Sequence, residues 1–251
     1  MERIFEKKYT IGFRECDYRN KLRLSSVLRI FSEISGADLD DRKITRKVLM
    51  SHNMVFLVLK IAVQINRLPI YNERITVSTW EQAIKGAQFH RGYRMKDKNG
   101  ETLMEGHSVW VLADHESHSI INPKKYPFEI FTGEDTVIKC KKTPPFKIVD
   151  ENGKKLIKKA GERFVRYSDL DANGHVFNGV YADVVCDSLP ADFVDKKWLS
   201  FQLNFINEAK LGDKWDLFIQ KTKEDSIGTY HTAGFLPNGK QGFDFILNYE
   251  N

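Results

Sequence analysis

A chain of 251 residues with 41% hydrophobic and 12% aromatic content can bury a substantial core, which excludes disorder and sets the scale at one large domain or two ordinary ones. Lys and Arg exceed Asp and Glu by 39 to 34, a net charge of +5 that is too mild for a nucleic-acid-binding domain but suits an acidic partner. The opening MERIFEKKYT lacks the apolar run of a signal peptide, and the longest such run, Met54–Leu59, is too short to span a bilayer. Three dispersed cysteines (Cys16, Cys140, Cys186) show no metal-ligand spacing, so the expectation is a cytoplasmic protein with reduced thiols.

Tyr9–Cys16 alternates as a strand, with Ile11 and Phe13 on one face. Leu24, Val27, Leu28, Phe31 and Ile34 recur at helical spacing, with Ser25 or Ser26 as the expected cap. Asp40–Asn53 reads as a short second helix and a loop. From Met54 to Ile65 the period becomes two, placing Leu57, Leu59, Ile61, Val63 and Ile65 on one face. A turn at Tyr71-Asn72-Glu73 precedes a strand over Arg74–Gln82. Strands over Ala87–Met95 and Thr102–Ala113 flank Asn99-Gly100, a hairpin signal.

Phe128–Ala160 has no sustained periodicity and carries Thr143-Pro144-Pro145, Glu151-Asn152-Gly153 and Lys154, Lys155, Lys158 and Lys159. It reads as a linker, with domains over 1–127 and 161–251. The order then restarts. A strand is expected over Glu162–Tyr167 and a helix through Val176, Phe177, Val180, Tyr181, Val184 and Val185. Strands follow over Leu199–Phe205, Lys214–Lys221, Ile227–Leu236 and Phe243–Tyr249, the last two joined at Asn238-Gly239.

The halves match in order: Arg14 and Asp17 with Arg166 and Asp169, Ile65-Asn66 with Ile206-Asn207, Asn99-Gly100 with Asn238-Gly239. The offsets are 152, 141 and 139, so the first half is longer between helix and next strand, around Asp40–Asn53. The expected class is α+β: two copies of a helix wrapped by an antiparallel sheet, docked as two subunits of a homodimer would be. At the first offset Asp171, Asn173 and His175 face Arg19, Lys21 and Arg23, three cations.

The densest polar chemistry lies at Asp169, Asp171, Asn173 and His175, just before the second helix. His exchanges protons near neutral pH, and a carboxylate orients it. Asp171-x-Asn173-x-His175 places three side chains on one side of an extended loop. A helix starting near Val176 would aim N–H groups at a bound oxyanion. Asp and Asn are also ordinary capping residues, and helix capping alone would account for them equally well. Glu208 follows a strand, and its parity puts it on the Ser200/Gln202/Asn204 face, so a bulge or strand end is needed to bring it to the cluster. Cys186 reads as a packing residue, and His107, His115 and His118 form too weak a pattern for a metal site.

Ser168–Tyr181, SDLDANGHVFNGVY, resembles the SDxDxNxHVNNxxY motif of acyl-acyl-carrier-protein thioesterases from plant plastids and bacteria. The resemblance implies a tandem hotdog fold and hydrolysis of fatty acyl-carrier-protein thioesters without metal or cofactor. It also implies Asp171, Asn173, His175 and Glu208 as catalytic residues, with Asp171 activating water or attacking the carbonyl itself. The first domain would hold the acyl chain and take no part in catalysis, and the basic linker would meet the acidic carrier protein. A homodimer is left open. Two positions depart from the family: Phe177 stands at the first Asn of its HVNN run, and Ala209 at a Cys of plant members, which excludes a cysteine acyl-enzyme there. Competing readings are an acyl-CoA thioesterase, a hydratase or dehydratase, and a non-catalytic acyl or carrier-protein binder.

Overall fold

The computed structural model describes residues 3–146 and 157–250. The chain divides into two compact units, Met1–Cys140 and Lys141–Asn251. The first contains β1 (Phe5–Thr10), α1 (Leu24–Asp41), α2 (Arg46–Ser51), β2 (Met54–Ile65), β3 (Arg74–Lys85), β4 (Gln88–Asp97) and β5 (Thr102–Asp114). Its strands pair antiparallel in the order β1-β3-β4-β5-β2. The second contains β6 (Lys158–Phe164), α3 (Asn178–Ser188), β7 (Lys197–Phe205), β8 (Lys214–Glu224), β9 (Ile227–Phe235) and β10 (Gln241–Glu250). Its order, β6-β8-β9-β10-β7, is that of the first unit, element for element. The α+β duplication is therefore present in full, and the extra length of the first half lies in the longer α1 and in α2.

Packing explains both helices. In α1, Leu24, Val27, Leu28, Phe31 and Ile34 are buried, and the Phe31 ring stacks on Tyr93 of β4 with centroids 4.2 Å apart. Gly106 of β5 makes room for that ring, since a Cβ there would sit 2.3 Å from it. In α3, Tyr181 packs on Phe205, Trp215 and Phe243. Burying such aromatic faces is the main favourable term for a helix on a sheet.

The boundaries differ from expectation for identifiable reasons. Ser26 does not cap α1; its hydroxyl donates to the Glu15 carbonyl, and Arg23 occupies the cap. The helix runs past its apolar stripe because Asp38, buried, accepts from Arg91 at 2.8 Å and Arg3 at 3.1 Å. The first strands of both units lie earlier than expected, over Phe5–Thr10 and Lys158–Phe164, the second taking in Lys158–Ala160 of the expected linker, and they end there because Phe13–Glu15 and Tyr167–Asp169 coil into 3-10 turns. A β-bulge between Val58 and Lys60 flips the side-chain alternation in β2. Met54 and Phe56 thus face one apolar cluster while Ile61, Val63 and Ile65 are buried, and Leu57 and Leu59 leave the common face.

Residues 128–140, read as linker, belong to the first unit. Sheet side chains hold this aperiodic segment: Trp80 Nε1 donates to the Glu134 carbonyl (2.5 Å), and Glu81 and Glu105 accept from the N–H groups of Phe131 (3.1 Å) and Val137 (3.0 Å). Glu151-Asn152-Gly153, Lys154 and Lys155 lie outside the described residues. Among the described residues no helix is long and apolar enough to cross a membrane.

Two outcomes follow. Gly106→Ala forces its methyl into Phe31 and lowers stability by about 1–3 kcal/mol, read from denaturant unfolding. His107 and His231 are buried, and burial lowers both from 6.5 to about 4. Between those values the unfolded chain binds more protons, so stability is complete above pH 6.5 and falls as pH drops toward 4. Unfolding midpoints measured across that range fall with acidification, and the slope flattens in His107→Gln and His231→Gln.

Candidate active site

The loop before α3 is tied down through its backbone. Asp169 is buried; its carboxylate accepts from the Arg166 N–H (2.7 Å) and from Arg163 Nη2 (2.7 Å), closing the 3-10 turn. Asp171 Oδ1 accepts from the N–H groups of Asn173 (2.8 Å) and His175 (3.2 Å). The Asp171 N–H donates to the His175 carbonyl, and the Gly174 N–H to the Asp171 carbonyl. Gly174 sits at φ +79°, in the left-handed region that glycine adopts without strain. α3 starts at Asn178, with Phe177 as its cap and no side-chain acceptor there.

The first unit builds the same loop, at an offset of 154. Glu15 takes the place of Asp169: it accepts from the Gly12 N–H (2.7 Å) and is met by Arg29 Nη2 (2.8 Å). Asp17 takes the place of Asp171, accepting from the N–H groups of Arg19 (2.9 Å) and Lys21 (3.0 Å), with Asn20 at φ +60° for Gly174. The bridges Cys16–Leu22 and Leu170–Val176 coincide as well. This register corrects the sequence pairing at 152. Asp171 faces Asp17, Asn173 faces Arg19 and His175 faces Lys21, so two of the three positions became cations and the carboxylate persisted. The slip arose because Arg-x-x-Asp occurs in both halves two residues out of register. In the first unit Arg19 also holds the second Asp17 oxygen, through Nε (3.1 Å) and Nη2 (2.9 Å).

Glu208 lies beyond the end of β7, so the strand end removes the parity objection. His175 Nε2 and Glu208 Oε1 are 3.1 Å apart. The loop holding Glu208 matches residues 66–73 at an offset of 140. The N–H groups of Ile206 and Asn207 both donate to the Gly242 carbonyl, as those of Asn66 and Arg67 do to the Leu103 carbonyl, so the sequence pairing of Asn66 with Asn207 is one residue out. Gly212 and Asn72 both have positive φ, and Asp213 and Glu73 close the same turn. Leu68 is the counterpart of Glu208. Thus the His–Glu pair of the second unit has Lys21 and Leu68 in its place in the first.

Tyr181 forms part of the same neighbourhood. Burial first, and then the charges of Glu208 and Asp171, push its hydroxyl pKa up, so it stays protonated beside two carboxylates. Helical spacing marked it only as a core residue, and nothing in the pattern pointed to its polar end. Cys186 is on α3, and His115 and His118 lie in and after the turn that follows β5. His107 pairs with His90 on the first sheet.

The sequence profile of the acyl-ACP thioesterase N-terminal domain matches residues 2–125, and that of the C-terminal domain matches residues 154–240. The chain belongs to the acyl-acyl-carrier-protein thioesterase family. It is 27% identical, over 74% of its length, to a chloroplastic palmitoyl-acyl carrier protein thioesterase of Arabidopsis thaliana, of which it covers 46%. It is 27% identical, over 64% of its length, to a chloroplastic acyl-acyl-carrier-protein hydrolase of Cuphea viscosissima, of which it covers 40%. The chain thus spans less than half the length of these relatives. A putative oleoyl thioesterase from Lactobacillus plantarum superposes with a TM-score of 0.87 at 20% identity, covering 100% of this chain and 97% of that one. The 12:0-ACP thioesterase from Umbellularia californica gives 0.83 at 17% identity, with 98% and 94% covered. These structures share the fold, the tandem hotdog arrangement expected of the family.

The loop's dependence on one carboxylate oxygen is testable. Asp171→Asn keeps an acceptor for both N–H groups and unfolds like the parent, whereas Asp171→Ala loses about 1–2 kcal/mol. Equal stability of the two variants in denaturant titrations would refute the structural role.

Proposed function

We propose that this protein hydrolyses the thioester of fatty acyl-acyl-carrier protein, releasing free fatty acid and holo-carrier protein and so ending chain extension in the cytoplasm. The observation that carries this reading is the His175–Glu208 pair at 3.1 Å, joined to Asp171 and Asn173 by one loop. The matching loop of the first unit keeps the carboxylate and replaces the other groups with Arg19, Lys21 and Leu68. The ionisable set differs between two copies of one scaffold, as expected where a single copy does chemistry.

Water adds to the thioester carbonyl carbon to give an oxyanion, which collapses with cleavage of the C–S bond, and the water's proton passes to a base and then, directly or through His175, to the departing thiolate. Asp171 is that base, or it attacks the carbonyl itself, expelling the thiolate and forming a transient anhydride that water then hydrolyses. Asn173 and the N–H groups at the start of α3 stabilise the oxyanion. His175 orients the carboxylate or protonates the thiolate, and Glu208 holds His175. No step uses a metal or an organic cofactor.

The acyl chain occupies the first unit, where a cavity of about 470 Å³ of empty space, part of it open to solvent, is lined by Leu39, Phe56, Phe89, Trp110 and Ile130. Its depth sets chain-length preference. Lys159 is engaged by Glu162 and Asp216, so the exposed Arg14, Lys21 and Arg23 of the first loop are better suited to meet an acidic carrier protein.

Incubation with acyl-carrier-protein thioesters, beside matched acyl-CoA, releases free acid faster from the carrier-bound substrate. His175→Ala and Glu208→Gln lower kcat by about 10²–10⁴-fold. Enoyl products, or undiminished turnover in His175→Ala, would overturn the reading. In single turnover in isotopically labelled water, label in the Asp171 carboxylate marks the anhydride route; label confined to the fatty acid marks general-base attack.

A further inference from the structure

The register of 154 that equates the two loops continues into the helices. It pairs the helix caps, Arg23 with Phe177, and so makes Val27 of α1 the counterpart of Tyr181 of α3. Val27 is fully buried. An aliphatic side chain therefore suffices for packing at this point of the scaffold, and the second unit carries a phenol there instead. His175, Glu208 and Tyr181 thus stand where the first unit has Lys21, Leu68 and Val27.

The phenol is aimed and held. Tyr181 is the fourth residue of α3, about 4.5 Å along the axis from the first. Side chains on a helix lean toward its N-terminus, so the ring carries its hydroxyl back toward the loop of Asp171, Asn173 and His175. The ring is clamped among Phe205, Trp215 and Phe243, with centroids 5.1, 5.2 and 5.2 Å away. Phe205 ends β7, three residues before Glu208. Burial, and then the charges of Glu208 and Asp171, oppose ionisation of the hydroxyl, which is therefore a donor beside two carboxylates.

That donor has no use inside the protein. Among the described residues the Tyr181 hydroxyl makes no hydrogen bond, to either carboxylate or to the backbone. The residue is only 5% exposed, yet its oxygen is not one of the unbonded polar atoms sealed from solvent. Trp215 Nε1 in the same aromatic cluster and the Tyr126 hydroxyl of the first unit are sealed in that way. A hydroxyl held in place, kept protonated and still accessible lacks only an acceptor, and a bound substrate brings one.

We propose that Tyr181 is a further catalytic residue, its hydroxyl donating to the thioester carbonyl oxygen as that oxygen takes on negative charge. The inference rests on the thioester hydrolysis proposed above and adds a side-chain donor to Asn173 and the helix N–H groups. The bond tightens when water or Asp171 adds to the carbonyl carbon, and it relaxes when the oxyanion collapses and the C–S bond breaks. The phenol keeps its proton throughout. Two neighbouring carboxylates suit that role, since they favour the neutral donor over the phenolate.

The test is steady-state kinetics of full-length Tyr181→Phe on the acyl-carrier-protein thioester that the parent cleaves fastest. Phenylalanine keeps the ring and its packing and removes only the hydroxyl, so denaturant unfolding matches the parent. The expected result is a kcat lowered about 10–10²-fold, with KM little changed and the pH–rate profile unshifted. A variant with the parent's kcat overturns the inference and leaves the hydrolysis standing. A fall in kcat joined to an upward shift of the acid limb shows that the hydroxyl acts on a carboxylate, and overturns its contact with substrate. Lost stability with kcat kept shows a structural hydroxyl and overturns the inference as well. If the parent releases no acid from any carrier-bound chain, the hydrolysis itself falls, and the role of Tyr181 with it.

Discussion

One carboxylate oxygen accepting two backbone N–H groups, Oδ1 of Asp171 in the second unit and Oδ1 of Asp17 in the first, fixes the loop that each unit is built around. The loop must turn the chain from an edge strand to the start of a helix, and its N–H groups have no strand partner along that path. A short acidic side chain supplies the acceptor, and a residue of positive φ supplies the turn. With the loop closed, the helix has one direction available, and its aromatic face meets the sheet. The side chains at the alternate positions then stand on a turn of fixed shape.

That construction explains how the two copies diverged. The bonds holding the loop go to the backbone of residues 19 and 21, or 173 and 175, and not to their side chains. Those side chains can therefore change without loss of the turn. In the first copy Arg19 neutralises the second oxygen of its aspartate. In the second copy an amide and an imidazole stand at the same points, and a glutamate from the loop after β7 reaches the imidazole. Persistence of the aspartate in a copy without the His–Glu pair makes it a folding residue first, whatever reaction it also serves.

Much of this was legible in the residues. Period-two and helical runs located the two long helices and every strand but the first of each unit, which they met only at its end, because burial of one face is a strong and repetitive constraint. The boundaries were not legible where a polar group did hidden work. Asp38 prolongs α1 through ion pairs to residues far along the chain, and Glu15 and Asp169 end strands that alternation alone would continue. The bulge in β2 shifts the phase of its side chains by one residue, and no local signal marks it. The site residues were legible as a cluster, but the pairing of the two copies was not. Pairing at Arg14 and Arg166 aligned two arginines that are not equivalent, and only the repeated backbone bonds show the register. Strand parity puts Glu208 on the wrong face, but parity has no force beyond Phe205, where β7 ends.

The histidine chain of the first unit illustrates the opposite limit. Neither His90 nor His107 has a sequence context that sets it apart, and their chemistry depends on a third element, the Cys140 N–H, more than thirty residues away. A neutral imidazole is a relay with one proton: fixing an acceptor at one end fixes a donor at the other. Because the relay begins at a backbone group, its direction does not depend on any titratable neighbour, and it ends at His90 Nε2 as a buried donor. The neighbouring chain from Trp110 to Phe31 ends instead at a main-chain carbonyl and closes on itself. Two polar chains on one sheet thus differ in a single respect, whether the last proton has an acceptor among the described groups of the protein.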